Sequence, residues 1–286
     1  MRRARIIEQD ASRIETVQDL TWVFESLASS QVAKVKSKVE LSKEFFQLLW
    51  KRYSSIRIDP STRITNRDLA DAQAKQAFVV ISAEASLSGN IDQRLIETMQ
   101  QDYDEKTTDI VILGSHGATQ LTQRGIPYAR FFQVPESDQY IDVSPIIEAI
   151  IPYRKTIVYY EEYVSLGVQN IKSIDLISSI QAMSENADED AITAEDTIFE
   201  PSLDEIADRM EITMMTLTLS QAILESSLAQ AASRFNAMAI AKKRAGELLG
   251  DYLLEFHRAK RSESDRRLRE VMISLKAKQR HSGVNS

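Results

Sequence analysis

The chain contains no cysteine, only three histidines and no apolar run that approaches the length of a membrane span. The absence of cysteine excludes a disulfide framework and thiolate metal sites. Without an apolar run of about 18 residues, the sequence gives no indication of a transmembrane helix. The start is rich in arginine like a transit peptide, but acidic residues interrupt it, so we interpret it as mature sequence. These features predict a soluble cytosolic protein.

Helix-breaking residues are scarce towards both ends of the chain. All six prolines and five of the eight glycines lie between Pro60 and Pro201. From residue 202 to residue 281 only Gly246 and Gly250 weaken a helix, so this segment is predicted to form one helix of ~120 Å at ~1.5 Å per residue. A compact domain cannot contain such a helix. The sequence therefore predicts a long antiparallel coiled coil of N- and C-terminal helices, with a small domain between them.

Apolar or small residues recur along the first helix with heptad spacing, and a second apolar line widens the stripe. We expect a loosely sealed coil, because polar residues interrupt the seam, and a wide face that packs on the central domain or on another protein. The predicted seam is Ile7, Ile14, Val17, Phe24, Ala28, Val35, Phe45 and Leu49; the second line is Leu20, Leu27, Leu41 and Leu48; the interruptions are Thr21, Gln31, Lys38 and Ser42.

The register of the coil follows from equal rise per residue in the two helices. If both begin near the central domain, at Tyr53 and Ser202, the numbers of facing residues sum to roughly 255 to 270. Ala28 is then expected to face residues 229–241. About twenty residues at the C-terminal end are expected to continue as a single unpaired helix.

The middle of the chain alternates between strand and helix patterns. It predicts a Rossmann-like α/β domain with a parallel pair of strands and an antiparallel edge. The predicted elements are strands at 77–83 and 108–114, a helix from residue 91, a short helix at 144–150 with Ser144 as N-cap and Pro145 at its first position, and a hairpin around Gly167. The predicted domains are a coil helix at 1–59, the α/β domain at 60–183, an acidic linker at 184–201 and a coil helix with a polar tail at 202–286.

The net charge is -7, but acidic and basic residues are concentrated in different segments of the chain. Residues 1–59 carry 11 Lys and Arg against 8 Asp and Glu, and residues 242–281 carry 12 against 6, whereas residues 184–211 carry 11 acids and one arginine. Two basic helices suit an acidic partner. A solvated coiled-coil exterior beside a polar linker explains the same pattern, and charge alone favours that simpler explanation.

A search for chemistry finds no convergent catalytic set. The turn after the first strand resembles a phosphate-binding turn, but it has one glycine, Gly89, and lacks the lysine of a P-loop. His116 follows the second strand between glycines without another histidine nearby, and the carboxylates at 185–205 lie in the linker. We therefore expect no enzyme activity, no cofactor and no metal in this chain.

Several motifs carry a family resemblance that spans the chain. They are the FEPS at 199–202, the SRFNAM at 233–238, Gly246 with Leu248, Ala259 with Lys260, the N-terminal RIETVQDLTWVFESLASSQV and the FVVISAEASLSGN after residue 77. Together they resemble the gamma subunit of F-type ATP synthases. In that family a Glu-Pro-Ser opens the C-terminal helix and an Ala-Arg-x-x-Ala-Met motif follows it.

The resemblance implies a central rotor stalk that couples proton- or sodium-driven rotation of the membrane ring to ATP synthesis or hydrolysis in the alpha/beta hexamer. The chain would be a non-catalytic subunit, peripheral at the cytoplasmic face of the plasma membrane. Its partners would be the alpha, beta and epsilon subunits and the c-ring. The resemblance nominates hexamer contacts at Phe24, Leu27, Arg234, Met238, Arg261 and Leu268; for Arg234, an ion pair within the coil is the alternative.

A second function remains open from the residues alone. The basic clusters at 242–244 and 260–269 suit a coiled-coil adaptor or a nucleic-acid-binding protein. Aromatic side chains are sparse there, only Tyr252 and Phe256, so base stacking is not indicated.

Overall fold

The computed structural model describes residues 4–55, 75–135, 141–153, 155–176 and 203–282. Along the chain, one long helix precedes an α/β region and another follows it. In chain order the elements are α1 (Ala4–Ser55), β1 (Gln76–Ile81), α2 (Ile91–Asp102), β2 (Thr108–Leu113), α3 (Ser115–Gln123), β3 (Arg130–Phe132), α4 (Ser144–Ile150), β4 (Thr156–Tyr163), β5 (Gln169–Asp175) and α5 (Leu203–Ser282). None of the helices in this part of the chain combines the length and the apolar character that a membrane span requires.

The strands form one sheet with the order β3-β2-β1-β4-β5. The first four are parallel, and β5 pairs antiparallel to β4. The apolar runs in β1 and β2 are buried on both faces, as parallel strands covered by helices should be. Because β2 and β4 flank β1 on opposite sides, the chain changes direction across the sheet at β1, which creates a crevice at the carboxyl ends of β1 and β4.

Helices cover both faces of the sheet. On one face, Phe78, Val80 and Tyr159 pack with Leu95 and Met99 of α2. The other face has a larger core, which joins the sheet to α4 and to the early part of α5. That core includes Val79, Ile81, Val111, Leu113, Val158, Ile146, Ile147, Ile150, Met214, Met215, Leu219 and Ile223. The C-terminal helix is therefore an integral layer of the α/β region over these residues.

The predicted fold class is confirmed, with three local corrections. We predicted Ser144 as the N-cap of α4, but the helix begins at Ser144, and Asp142 Oδ1 accepts its N–H at 3.0 Å, because an aspartate two residues earlier forms this turn readily. The short strand β3 and helix α3 were not predicted, since three residues and a polar nine-residue helix give a weak periodic signal.

The boundaries near residues 59 and 183 and the acidic linker at 184–201 lie outside the described residues, so the domain limits stay predictions. The FEPS motif at 199–202 lies outside them too. The chain divides into two compact units, one of residues 1–26 and 238–286 and the other of residues 27–237.

Candidate functional site

The inward face of α1 follows a strict heptad. Its buried and half-buried side chains recur at alternating spacings of four and three residues, the spacing of a coiled-coil seam. We assigned Val17, Phe24 and Phe45 to the seam, but their side chains are exposed beside it. The assignment was wrong because it followed apolar character alone, whereas polar residues occupy several of the true seam positions. The seam is Ile7, Ala11, Ile14, Gln18, Thr21, Glu25, Ala28, Val32, Val35, Val39, Ser42, Phe46 and Leu49.

In the unit of residues 27–237, the coil is apolar at its centre and charged at its flank. Val35 and Val39 of α1 pack against Leu224 and Leu228 of α5. Beside them Lys43 Nζ lies 2.7 Å from Glu225 Oε1, and the Glu225 side chain is only 9% exposed. The lysine therefore neutralises a nearly buried carboxylate at the point where the coil meets the sheet domain.

In the unit of residues 1–26 and 238–286, polar residues share the seam with apolar ones. Lys242 Nζ lies 2.7 Å from Glu25 Oε2. Gly246 leaves room for the Gln18 side chain, whose Nε2 would lie 3.1 Å from a Cβ at that position. Gln18 and Glu25 are tolerated in the seam because each has a suited partner on the facing helix.

The register of the coil can be read from contacts inside each unit. The facing pairs are Lys43 with Glu225 and Gln31 with Arg234 in one unit, and Glu25 with Lys242 and Gln18 with Gly246 in the other. Their residue numbers sum to between 264 and 268, inside the predicted range, so the antiparallel register is confirmed.

The last described turns of α5 have no helix packed against them. Every side chain described from Lys260 to Lys276 is exposed, in agreement with the predicted unpaired extension. One part of this surface is strongly apolar. Its exposed apolar side chains are Leu268, Val271, Met272, Ile273 and Leu275.

A middle segment of α5 fills the crevice between β1 and β4. Ser226 is fully buried there, and its Oγ lies 3.3 Å from the Ile81 carbonyl oxygen and accepts the N–H of Glu161 at 3.3 Å. Two turns later Ser233 Oγ donates to the Ser88 carbonyl at 2.6 Å. Gly89 allows this approach, since a Cβ there would lie 3.3 Å from Ser233 Oγ and the glycine has a φ of +74°. The crevice that holds ligands in open sheets of this type is thus occupied by the chain itself.

Beside this contact lies a buried polar cluster around Asp92, at the start of α2. Its Oδ1 accepts the N–H of Ala83 at 2.8 Å, and its Oδ2 accepts the hydroxyl of Ser88 at 2.6 Å and lies 2.9 Å from Nδ1 of His116. His116, singled out in the sequence, therefore orders the turn after β1. Burial lowers the pKa of Arg234 of α5, and the nearby Asp92 opposes part of that shift.

Sequence reasoning missed Glu161, which is fully buried in β4. Burial raises its pKa well above the ordinary value, and the nearby Asp92 adds to the rise, while Gln230, Ser226 and Arg94 act in the opposite direction. The signal was present: an acidic residue directly follows the apolar and aromatic run of residues 157–160 in the predicted strand. The polar groups of this cluster are directed at each other. We therefore interpret the cluster as a structural contact between the sheet and α5.

Comparison with known proteins decides the family. A family model described as ATP synthase matches residues 3–277. The chain belongs to this ATP synthase family. Among curated relatives, the ATP synthase gamma chain of Halothermothrix orenii is 22% identical over 97% of this chain and 99% of its own length. That of Alkaliphilus metalliredigens is 23% identical over 95% and 97%.

Solved structures of ATP synthases contain chains with the same fold. The Euglena gracilis mitochondrial ATP synthase assembly of OSCP, F1 and c-ring in rotational state 3 contains a chain with a TM-score of 0.68 and 13% identity, over 96% of this chain and 94% of that one. A chain of the rotor of the same synthase in rotational state 1 gives a TM-score of 0.65 and 12% identity, over 91% and 98%. The predicted resemblance to ATP synthase gamma chains is confirmed, and the adaptor alternative gains no support.

The six residues nominated as hexamer contacts differ in exposure. Phe24 is 38% exposed and Leu27 57% on the outer side of α1, Leu268 is 62% exposed, and Arg261 lies among the exposed residues of α5. Arg234 is half-buried, with its guanidinium 3.4 Å from Gln31 Oε1 and 3.5 Å from the Ala85 carbonyl. Met238 is only 7% exposed. Their contacts with a hexamer stay predictions.

Proposed function

We propose that the chain is the central rotor stalk of an F-type ATP synthase, and that it couples ion-driven rotation of a c-ring to ATP turnover in an alpha/beta hexamer. The observation that carries the proposal is the match to ATP synthase gamma chains over almost the entire sequence, joined to a paired coil and an exposed helical extension. An epsilon subunit completes the set of partners. The chain acts peripherally at the cytoplasmic face of the membrane.

In this role the chain carries torque and performs no catalysis itself. Ser226 and Ser233 of α5 occupy the crevice where a nucleotide would bind in a sheet of this order, which supports a mechanical use of the α/β region. Rotation presents different faces of an asymmetric coil to each catalytic subunit. A rotor shifts those subunits between affinity states only through contacts that differ among the states.

The proposed hexamer contacts fall into two groups. Phe24, Leu27, Arg261 and Leu268 offer exposed side chains and are proposed to contact the hexamer directly. Met238 is proposed to act through the coil, since its side chain is nearly buried. Arg234 is proposed to present the outer part of its guanidinium to acidic segments of the beta subunits, while Gln31 and the Ala85 carbonyl hold it in place.

The test is assembly with alpha and beta subunits in salt. We expect stable co-elution with an alpha/beta hexamer at ~150 to ~300 mM salt, where exposed ion pairs are largely screened, and weak binding to duplex DNA. Nucleic-acid binding would instead lose orders of magnitude in affinity between ~50 and ~200 mM salt, because each neutralised phosphate releases counterions. Failure to join a hexamer, together with tight salt-sensitive DNA binding, would overturn the proposal in favour of the adaptor alternative.

Reversal of the charge at Arg234 tests whether this residue acts in coupling or in assembly. We expect Arg234→Glu to reduce the coupling of ATP turnover to rotation more than it reduces assembly, because a rotor contact acts differently on each catalytic state. Single-molecule rotation under known ATP concentration measures this. Gln31→Ala is the control, since it removes the internal hydrogen bond and keeps the charge. Equal losses in the two variants would assign Arg234 to the coil alone.

A further inference from the structure

We infer that Glu161 is held as a neutral carboxylic acid and that its proton links β4 to α5 through Ser226. The inference begins with the place of this side chain. Glu161 lies at the carboxyl end of β4, is fully buried and faces the segment of α5 that fills the crevice. An ionised carboxylate is costly there unless hydrogen bonds or a cation compensate its charge.

Counting donors at Ser226 shows where the proton belongs. The hydroxyl has one proton but two acceptors within reach, Glu161 Oε2 at 3.0 Å and the Ile81 carbonyl at 3.3 Å. It already accepts the N–H of Glu161. If Glu161 were ionised, one of these two oxygens would face a lone pair of the hydroxyl. A proton on Oε2 removes the conflict: Glu161 donates to Ser226, and Ser226 donates to Ile81.

The other carboxylate oxygen leads to the same assignment. Glu161 Oε1 is buried and forms no hydrogen bond within the described part of the chain. A neutral carbonyl oxygen tolerates such a position far better than an ionised one does. Gln230, one turn after Ser226, directs its amide at the Ser226 hydroxyl at 3.5 Å. It lowers the pKa of Glu161, but burial raises that pKa more.

Among the residues that the structure describes, no cation forms an ion pair with Glu161. From α2, Asp92 adds negative potential and Arg94 opposes it, while the Arg94 guanidinium donates to the Gln169 carbonyl. From α3, His116 is directed at Asp92. The remaining groups are on β4 and α5: Glu162 pairs with Lys172, Glu225 pairs with Lys43, and Arg234 is directed at Gln31 and the Ala85 carbonyl.

The proton makes this joint sensitive to pH in a defined direction. A carboxyl whose pKa is higher in the folded chain than in the unfolded chain binds its proton more tightly when folded. Stability is therefore highest at mildly acidic pH and falls as pH rises from the unfolded value through the folded one. Ionisation would place a second negative charge beside Asp92 and remove the donor that holds α5 to the sheet. In a rotor, this would loosen the connection between the sheet domain and the coil.

The test compares the full chain with Glu161→Gln from mildly acidic to mildly alkaline pH. The amide keeps a donor towards Ser226 and cannot ionise. We expect the thermal midpoint of the wild type to fall by about 3–5 °C for each pH unit between the unfolded-state and the folded-state pKa of Glu161, and we expect this fall to disappear in the variant. Glu162→Gln is the matched control, because the Glu162 carboxylate is adjacent in sequence but pairs with Lys172 near the surface. The control should keep the pH dependence of the wild type.

Infrared spectroscopy gives a second readout that does not depend on stability. We expect the wild type and Glu162→Gln to show the C=O stretch of a buried protonated carboxyl at neutral pH, and we expect Glu161→Gln to lack it. Persistence of the band and of the pH dependence in Glu161→Gln, or failure of that variant to fold, would overturn the inference. These measurements use the isolated chain, whereas the effect on rotation rests on the proposed function. The inference about Glu161 and the proposed function can therefore fail separately.

Discussion

Two stretches of the same helix, α5, have opposite surroundings. Between residues 214 and 232 almost every side chain is buried or half-buried, and the sheet, α1 and α4 supply its neighbours. Between residues 260 and 276 every side chain is exposed. A helix of 80 residues therefore obtains its tertiary stabilisation from only part of its length. A substitution should therefore change stability strongly in the buried stretch and only slightly in the exposed stretch.

The largest expected difference comes from removing one leucine in each stretch. Leu219→Ala should destabilise the chain by about 2–5 kcal/mol, because Leu219 is fully buried in the larger core and the change leaves a cavity. Leu268→Ala should change stability by less than about 0.5 kcal/mol. Urea unfolding of both variants measures the contrast. Similar losses would mean that the exposed stretch packs against part of this chain.

A pair of glycines sharpens the account of the buried stretch. Gly89 and Gly125 have nearly equal positive φ values of +74° and +70°, but only Gly89 faces α5, at Ser233. Alanine at Gly125 should cost about 1–2 kcal/mol of backbone strain. Gly89→Ala should cost more, because its Cβ would also press on Ser233. Chemical denaturation of the two variants tests this, and equal costs would show that Ser233 moves aside freely.

Ion pairs give the smallest expected contrast. Lys43→Met should cost about 1 kcal/mol, since it leaves the nearly buried Glu225 unpaired, although the exposed half of Lys43 moderates the effect. Arg266→Ala breaks an exposed pair with Glu270 and should cost about 0.2–0.5 kcal/mol. Adding Glu225→Gln to Lys43→Met should recover stability, and no recovery would mean that the loss comes from packing of the lysine stem.

The heptad of α1 shows how far pattern reasoning goes. Ile7, Ala28 and Val35 were placed correctly in the seam because they are both apolar and in phase. Val17 and Phe24 were misplaced because an apolar residue one position out of phase looks like a seam residue when the true position, Gln18 or Glu25, is polar. Phe45 was taken in place of its equally apolar neighbour Phe46. Only the facing helix reveals that Glu25 belongs in the seam, since Lys242 is its partner. Partner identity across a coil is tertiary information.

The sequence by itself determined the long terminal helices, their antiparallel register and a parallel pair of strands with an antiparallel edge, because helix breakers, rise per residue and apolar runs are local properties. Motifs spaced along the whole chain also determined the family. Only the tertiary structure decided that α5 fills the crevice of the sheet and that Glu161, Asp92 and Ser226 meet there. Those residues lie far apart in sequence, and a buried carboxyl acquires its character from neighbours that no local pattern specifies.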